Sequence, residues 1–431
     1  MHHPPSNDAP TFNPEGVMPP VIHTDVLIVG AGPAGSAAAI TLARAGRQVL
    51  LIDQHDFPRD KICGDGLIPD AMLALEQLGL TAQVLALAKP IKGLTCHGPR
   101  GGSLDIPGDL AVLPRKTLDD LLVKTAVDAG ATLKTPWRFQ RPITKNARTA
   151  GAEVNVNNTT VNISANWTIL ATGAAITALQ SAQHCTRPHP SAMALRGYIH
   201  NPDFKGLDGR LHISWHKSYA PGYGWIFPCP DGVFNIGVGV YGMHATNWRH
   251  RLAKLPGLKH NSWLKPRKPN LNEIFKQFIS TNPLAKELLE TGTLMGEIKG
   301  APLRCSLEGA KPASAGLLIT GEAMGSTYAL TGEGIGKAME TGIMAAQAIL
   351  TQQNDTDTAK HYQEALKTLT PKFDIYRRAN IVNHMPWLID LAIKRGNKSP
   401  KLVHRMSLVL EEKANPARLF TAKGAWKFLT E

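Results

Sequence analysis

The sequence predicts an α/β fold whose main parallel sheet is discontinuous in sequence, interrupted by a second sheet and followed by a helical tail. One observation behind this is the apolar run Asp25-Val-Leu-Ile-Val-Gly30, fit for a buried strand, which leads through Gly32 and Gly35 into a helical pattern over residues 34–45. A further apolar run, Val49 to Ile52, ends at Asp53. A related signature returns late in the chain: Leu317-Leu-Ile-Thr-Gly321-Glu322-Ala323, running into Leu330-Thr-Gly332-Glu333-Gly334-Ile335-Gly336. Between the two, residues 190–300 change character. Strand-like runs at 194–199, 210–215 and 232–240 alternate there with aromatics and loops.

Each element has its own reason. A Gly-x-Gly-x-x-Gly after a strand and before a helix, with an acid closing the next strand, is the context of a dinucleotide fingerprint. Gly30 makes the tight turn, Gly32 lets the backbone approach a pyrophosphate, and Gly35 lets the helix pack on the strand. Pro33 and Ala34 open that helix, whose N-terminus offers its positive end to phosphate. Asp53 can accept from a ribose hydroxyl. The late strand-Gly-acid-Ala element followed by a glycine-rich helix start is similar to the flavin end of a two-part FAD site. There Gly332, Gly334 and Gly336 can bring backbone N–H groups to the pyrimidine edge of the ring, where negative charge develops on reduction.

Residues 54–67 read as a loop holding Gly64 and Gly66, and residues 69–78 as a helix stopped by Gly79. Residues 91–113 read as short strands and 116–129 as a helix before Gly130. Alternation from Val154 to Ile163 around Asn157-Asn158 signals a hairpin, leading into a buried strand at 167–170 that ends in a turn at Gly173. Residues 355–431 read as helical and basic, with apolar faces at 381–393 and 401–410. The expected division is a disordered leader at 1–22, a discontinuous Rossmann-like FAD-binding domain at 23–90, 110–185 and 300–350, a substrate-binding sheet domain at 91–109 and 186–299, and a helical region at 351–431.

Composition excludes several classes. Apolar residues make up 43% and charged residues 19% of 431 positions, an ordinary globular balance. The five cysteines are scattered without metal-ligand or disulfide spacing, and no HExxH occurs, so no metal is expected and a reducing, cytoplasmic setting fits. No stretch is long and apolar enough for a transmembrane helix. The net charge of +13 comes with no nucleic-acid-binding motif, so no nucleic-acid partner is expected. Residues 361–431 carry 13 Lys/Arg against 6 Asp/Glu, which leaves two readings: attraction to an anionic membrane face or phosphorylated substrate, or a solvated basic surface. Nothing in the sequence bears on oligomeric state.

Three further motifs carry a resemblance. These are Lys61-Ile-Cys63-Gly64-Asp65-Gly66-Leu67; Pro114-Arg115 followed by Asp119; and Tyr223-Gly-Trp225-Ile-Phe227-Pro228 with Gly237-Val-Gly239 beyond it. With Thr331-Gly332-Glu333-Gly334-Ile335 they resemble, in order over residues 24–350, the geranylgeranyl reductase family, flavoproteins built like p-hydroxybenzoate hydroxylase. The resemblance implies FAD held by Gly30, Gly32, Pro33, Ala34, Gly35, Asp53, Gln54, Arg59, Cys63, Gly64, Arg115, Gly321, Glu322, Gly332, Gly334 and Ile335. It also implies an apolar substrate lined by Tyr223, Trp225 and Phe227, although alternate aromatics on one strand face equally suit a sheet core. Glu322 departs from the family's Asp, and nothing is carried over beyond Leu350.

The chemistry implied is NAD(P)H-driven reduction of carbon–carbon double bonds in an isoprenoid or other apolar substrate. With only one dinucleotide fingerprint visible, the nicotinamide donor would bind transiently. Hydride addition to an alkene needs a proton at the other carbon, and Cys63, Tyr223 and Asp65 are the candidates in that order. Cys63 also reads as a redox thiol or, as most free cysteines are, as a small buried residue. A flavin monooxygenase or dehydrogenase on the same fold is the alternative. Halogenation is disfavoured by the absence of paired tryptophans in Gly224-Trp225-Ile-Phe-Pro228, and a non-catalytic FAD-binding protein by the intact flavin end.

Overall fold

The computed structural model describes residues 21–241 and 270–414. The expected leader lies outside the described residues except for its last two, which open the first strand, and so do residues 415–431 of the expected helical region.

Five parallel strands form the centre of the first sheet, in the order Leu317–Ile319, Thr159–Leu170, Val21–Val29, Val49–Ile52 and Thr132–Lys134. Chain from both sides of the insertion is therefore needed to complete it. Val26–Val29 and Val49–Ile52 are buried throughout, as expected of strands covered on both faces. A hairpin through Asn157 and Asn158, both at positive φ, joins Arg148–Val156 to Thr159–Leu170. The sequence reading divides this last element into a hairpin arm and a separate strand; the structure has one twelve-residue strand. Residues 159–166 mix exposed and buried positions because one face is open, and the last four, 167–170, are buried where the strand enters the parallel core.

The second sheet runs Thr293–Leu303, Ala192–His200, Val233–Tyr241, Gly222–Pro228, Leu211–Ser214, Lys89–His97, Ser103–Val112 and Gly66–Leu67. Two helices that the sequence reading missed, Leu271–Thr281 and Pro283–Thr291, cover one of its faces. Asn270 and Asn282 cap them, and their Phe275, Phe278, Ala285 and Leu288 are buried with Ile226, Ile236 and Val238 of the sheet. Gly224 permits this contact, since a Cβ there would lie 2.3 Å from the Phe278 ring. Gly224 and Ile226 thus face the helices, and the alternate residues Tyr223, Trp225 and Phe227 face the other way.

Helix Ile335–Thr351 crosses helix Pro33–Arg44 closely; a Cβ on Gly342 would meet the Ala34 carbonyl at 2.1 Å. The tail then straps both sheets. Helix Asp355–Ala379 sinks Tyr362, Leu366, Leu369 and Phe373 into the first core. Helices Trp387–Gly396 and Pro400–Leu410 place Ile393, Val403 and Met406 against Leu104 and Ile106 of the second sheet. A buried charge cluster closes the strap. Asp70 accepts from the Tyr328 hydroxyl at 2.8 Å and pairs with Lys337 at 3.1 Å and Lys372 at 3.0 Å, and Lys372 in turn meets Glu412 at 2.5 Å.

Candidate active site

A cavity of about 1320 Å³ lies between the two sheets, and most of the predicted site residues line it. At one end is the first glycine turn. Gly30 sits at φ +102°, and a Cβ on it would fall 2.4 Å from the Ala171 carbonyl oxygen, so no other residue fits. Gly35 does not line the cavity; its missing side chain lets the helix rest on Gly30, whose oxygen a Cβ would approach to 1.8 Å. Gly32, Pro33 and Ala34 do line it, at the helix N-terminus.

Space over Gly32 is bounded by two guanidinium groups, Nη2 of Arg59 at 3.6 Å and of Arg115 at 3.9 Å from where a Cβ would stand. The Nε of Arg59 and the hydroxyl of Thr172 are buried there without a partner among the described residues. A helix start, two cations and unspent donors are what a diphosphate needs. The cations are held in turn. Fully buried Asp119 accepts from Nε and Nη2 of Arg115 at 2.6 and 2.7 Å and from Nη1 of Arg59 at 3.2 Å. Asp53 accepts from the backbone of Ala31 at 2.9 Å and of His55 at 3.0 Å, and faces Arg59 at 3.4 Å, with Gln54 beside it on the cavity wall.

The loop Cys63–Gly66 forms the middle of the cavity. Asp65, at positive φ and fully buried, accepts from the backbone of Arg115 at 3.2 Å, the Tyr198 hydroxyl at 2.5 Å and Asn235 at 2.7 Å. Burial lifts its carboxyl to about 6 against those hydrogen bonds. With both oxygens engaged, Asp65 shapes the loop, and half-buried Cys63 is the group presented to the cavity. Burial, then the charge of Asp65, pushes the Cys63 thiol up, which keeps it protonated. Sequence reasoning missed Asn235, which bonds the Cys63 carbonyl at 2.7 Å and Asp65 while accepting from Trp225 Nε1 at 2.8 Å. A lone Asn in the apolar strand Val233–Tyr241 is the signal that could have found it.

Tyr223, Trp225 and Phe227 form one wall, with neighbouring ring centroids 6.2 and 6.4 Å apart. The Gly237-Val-Gly239 motif exists to seat the indole: a Cβ on Gly237 would meet the Trp225 ring at 2.2 Å. Gly64 likewise lies beneath Phe227, at 3.1 Å. The Tyr223 hydroxyl donates to the Thr331 carbonyl and receives from Tyr241 at 3.2 Å, and burial pushes its phenol up. Beyond Phe227 the lining is apolar: Leu94, Leu110, Leu211, Ile213 and Leu410.

At the second glycine segment, Gly321 packs behind the cavity, where a Cβ would stand 2.6 Å from that of Ala34. Glu322 lines the cavity and accepts from the Arg304 backbone at 3.3 Å. The expected N–H array is corrected in part. Gly332, Gly334 and Ile335 line the cavity, but the Gly332 N–H is spent on the Tyr328 carbonyl at 2.9 Å, and Gly336 packs on Asp70 and Ala71 instead. Glu333, given no role from sequence, also lines the cavity. It accepts from the Thr331 hydroxyl at 3.1 Å, and burial raises it to about 7. Among the described residues no group of His, Cys, Asp and Glu could hold a metal.

The FAD binding domain family model matches residues 23–194. The chain is 32% identical over 383 residues to menaquinone reductase of Mycolicibacterium smegmatis, covering 84% of this chain and 85% of that one. It is 25% identical over 347 residues to digeranylgeranylglycerophospholipid reductase 2 of Methanopyrus kandleri, covering 79% and 81%. The chain belongs to the geranylgeranyl reductase family of FAD-dependent oxidoreductases. The solved geranylgeranyl bacteriochlorophyll reductase-like protein of Thermoplasma acidophilum superposes with a TM-score of 0.68 at 22% identity, over 96% of this chain and 97% of that one.

Proposed function

We propose that the protein reduces carbon–carbon double bonds of an isoprenoid or similarly apolar lipid, with NAD(P)H as the transient electron donor. One observation carries this reading: one cavity joins the glycine turn, with Arg59 and Arg115 over it, to an aromatic and aliphatic arm, with Cys63 on the wall as well. The names of the relatives, reductases of menaquinone and of a digeranylgeranyl phospholipid, support it.

In this reading Gly32, the helix start, Arg59 and Arg115 hold the pyrophosphate of FAD, and Asp53 takes its ribose. Glu322 faces the ribityl side, and Gly334 and Ile335 the pyrimidine edge. Bound FAD supplies hydride transfer. The rest falls to the chain. Trp225 and Phe227 orient an apolar chain and exclude water, and the neutral Cys63 thiol is the proton donor. Tyr223 serves less well as a donor because its hydrogen is committed to Thr331. Asp65 positions Cys63. The protein would act in the cytoplasm as a peripheral protein at the inner membrane face; no helix among the described residues is long and apolar enough to cross a membrane.

The test is anaerobic incubation of the yellow holoprotein with NADPH and polyprenyl lipids, read by mass spectrometry. Products heavier by two hydrogens per reduced bond are expected. Substrate-dependent oxygen uptake in air, with no such product without air, would make the protein an oxygenase and sink the proposal.

A further inference from the structure

Away from the cavity, exposed apolar side chains crowd one short stretch of the tail. Ile381, Met385 and Trp387 are 49%, 43% and 54% exposed. Helix Trp387–Gly396 is two-faced: at about 100° per residue, Trp387, Leu391 and Lys394 share one side and Ile389, Ile393 and Gly396 the other. The second side is against the sheet, where Ile393 is buried and a Cβ on Gly396 would meet Leu104 at 2.5 Å. The first side faces outward. Residues 374–398 carry Arg377, Arg378, Lys394, Arg395 and Lys398 against two carboxylates, Asp374, which pairs with Arg377 at 2.8 Å, and Asp390. Asp390 is turned onto Arg100, accepting from its backbone at 3.2 Å.

An outward tryptophan flanked by Lys and Arg is the composition of an interfacial helix. The ring suits the headgroup level, and the cations reach the phosphates while their stems lie on apolar surface. The position is also telling. Asn383, fully buried inside the patch, accepts from Trp215 Nε1 at 2.7 Å and donates to the Leu330 carbonyl at 2.9 Å. Trp215 lies 5.9 Å from the Tyr223 ring. The outer patch is thus the back of the element that buttresses the cavity wall.

We infer that Ile381, Met385, Trp387 and Lys394 form the surface by which this protein docks on an anionic phospholipid bilayer. The inference deepens the proposed function, since it rests on a substrate that resides in a membrane. Charge complementarity selects this occupant, each cation near the surface contributing roughly fivefold in partitioning.

The experiment is co-sedimentation of full-length holoprotein with vesicles of phosphatidylcholine alone or mixed with phosphatidylglycerol, at low and high salt and without substrate. Wild type is expected to bind the mixed vesicles and to release as salt rises. Trp387→Ser combined with Ile381→Ser, and separately Lys394→Glu, should weaken binding at least severalfold while flavin content and the rate of flavin bleaching by NADPH stay unchanged. Wild-type binding that these variants leave intact, or no binding to either vesicle, would overturn the inference. So would a dimer that the variants split, because the patch would then be covered by a second copy. Docking without any lipid reduction would instead sink the reductase reading and leave this surface standing.

Discussion

The Tyr223 hydroxyl donates to the carbonyl oxygen of Thr331, tying the aromatic strand of the second sheet to the loop that starts helix Ile335–Thr351. The two residues are 108 positions apart, and this bond sets the height of the wall over the glycine loop.

Tyr223→Phe removes the donor and leaves the Thr331 carbonyl and the Tyr241 hydroxyl to find other partners. Stability should fall by about 1–2 kcal/mol in urea unfolding. Bound flavin should be retained and turnover should drop. A variant as stable as wild type would show that the tie contributes nothing.

The two glycines of the first turn should behave differently. Gly30→Ala drives a Cβ into the Ala171 carbonyl at positive φ, so it should destabilise the fold itself by about 2–3 kcal/mol or abolish soluble expression. Gly32→Leu meets only the flexible tips of Arg59 and Arg115, so the fold should persist with near-normal melting of the apoprotein while flavin content collapses. Measured flavin-to-protein ratios and apoprotein melting curves separate the two outcomes. A yellow Gly32→Leu protein would refute the assignment.

Glu333 predicts a pH signature. Its folded value of about 7 lies above the ordinary 4.5, so the folded protein holds a proton that the unfolded chain has already released. Stability from this group is therefore full below about pH 4.5 and is lost as pH rises through 7. Glu333→Gln should match wild type near pH 4 and gain on it by about 1–3 kcal/mol at pH 8. Urea unfolding at the two pH values checks this, and a gap that does not widen with pH would refute it.

What was legible in the sequence was what depends on neighbours in the chain. The turn at Gly30, the helix behind it and the Asn157–Asn158 hairpin follow from local conformational demands. The missed features depend on distant partners. Helices Leu271–Thr281 and Pro283–Thr291 are short and take their stability from a sheet face that Gly224 leaves open. Asn235 looks like a misplaced polar residue until Cys63, Asp65 and Trp225 close around it. Gly332 lines the cavity yet spends its N–H within its own loop, and Gly336, expected beside the ligand, lets two helices touch.

The charge cluster around Asp70 has a consequence for how the molecule is made. Asp70 leaves the ribosome more than 260 residues before Lys337 and some 300 before Lys372, and Glu412 follows both. The nascent chain therefore carries an early carboxylate whose cationic partners have not yet been synthesised, at a position the finished fold buries. The strap of tail helices and the last parallel strand arrive in the same late window. A ribosome stalled before Leu317 would hold four of the five parallel strands, with the edge of Thr159–Leu170 open and Asp70 still without its lysines, the kind of species that chaperones hold and proteases remove.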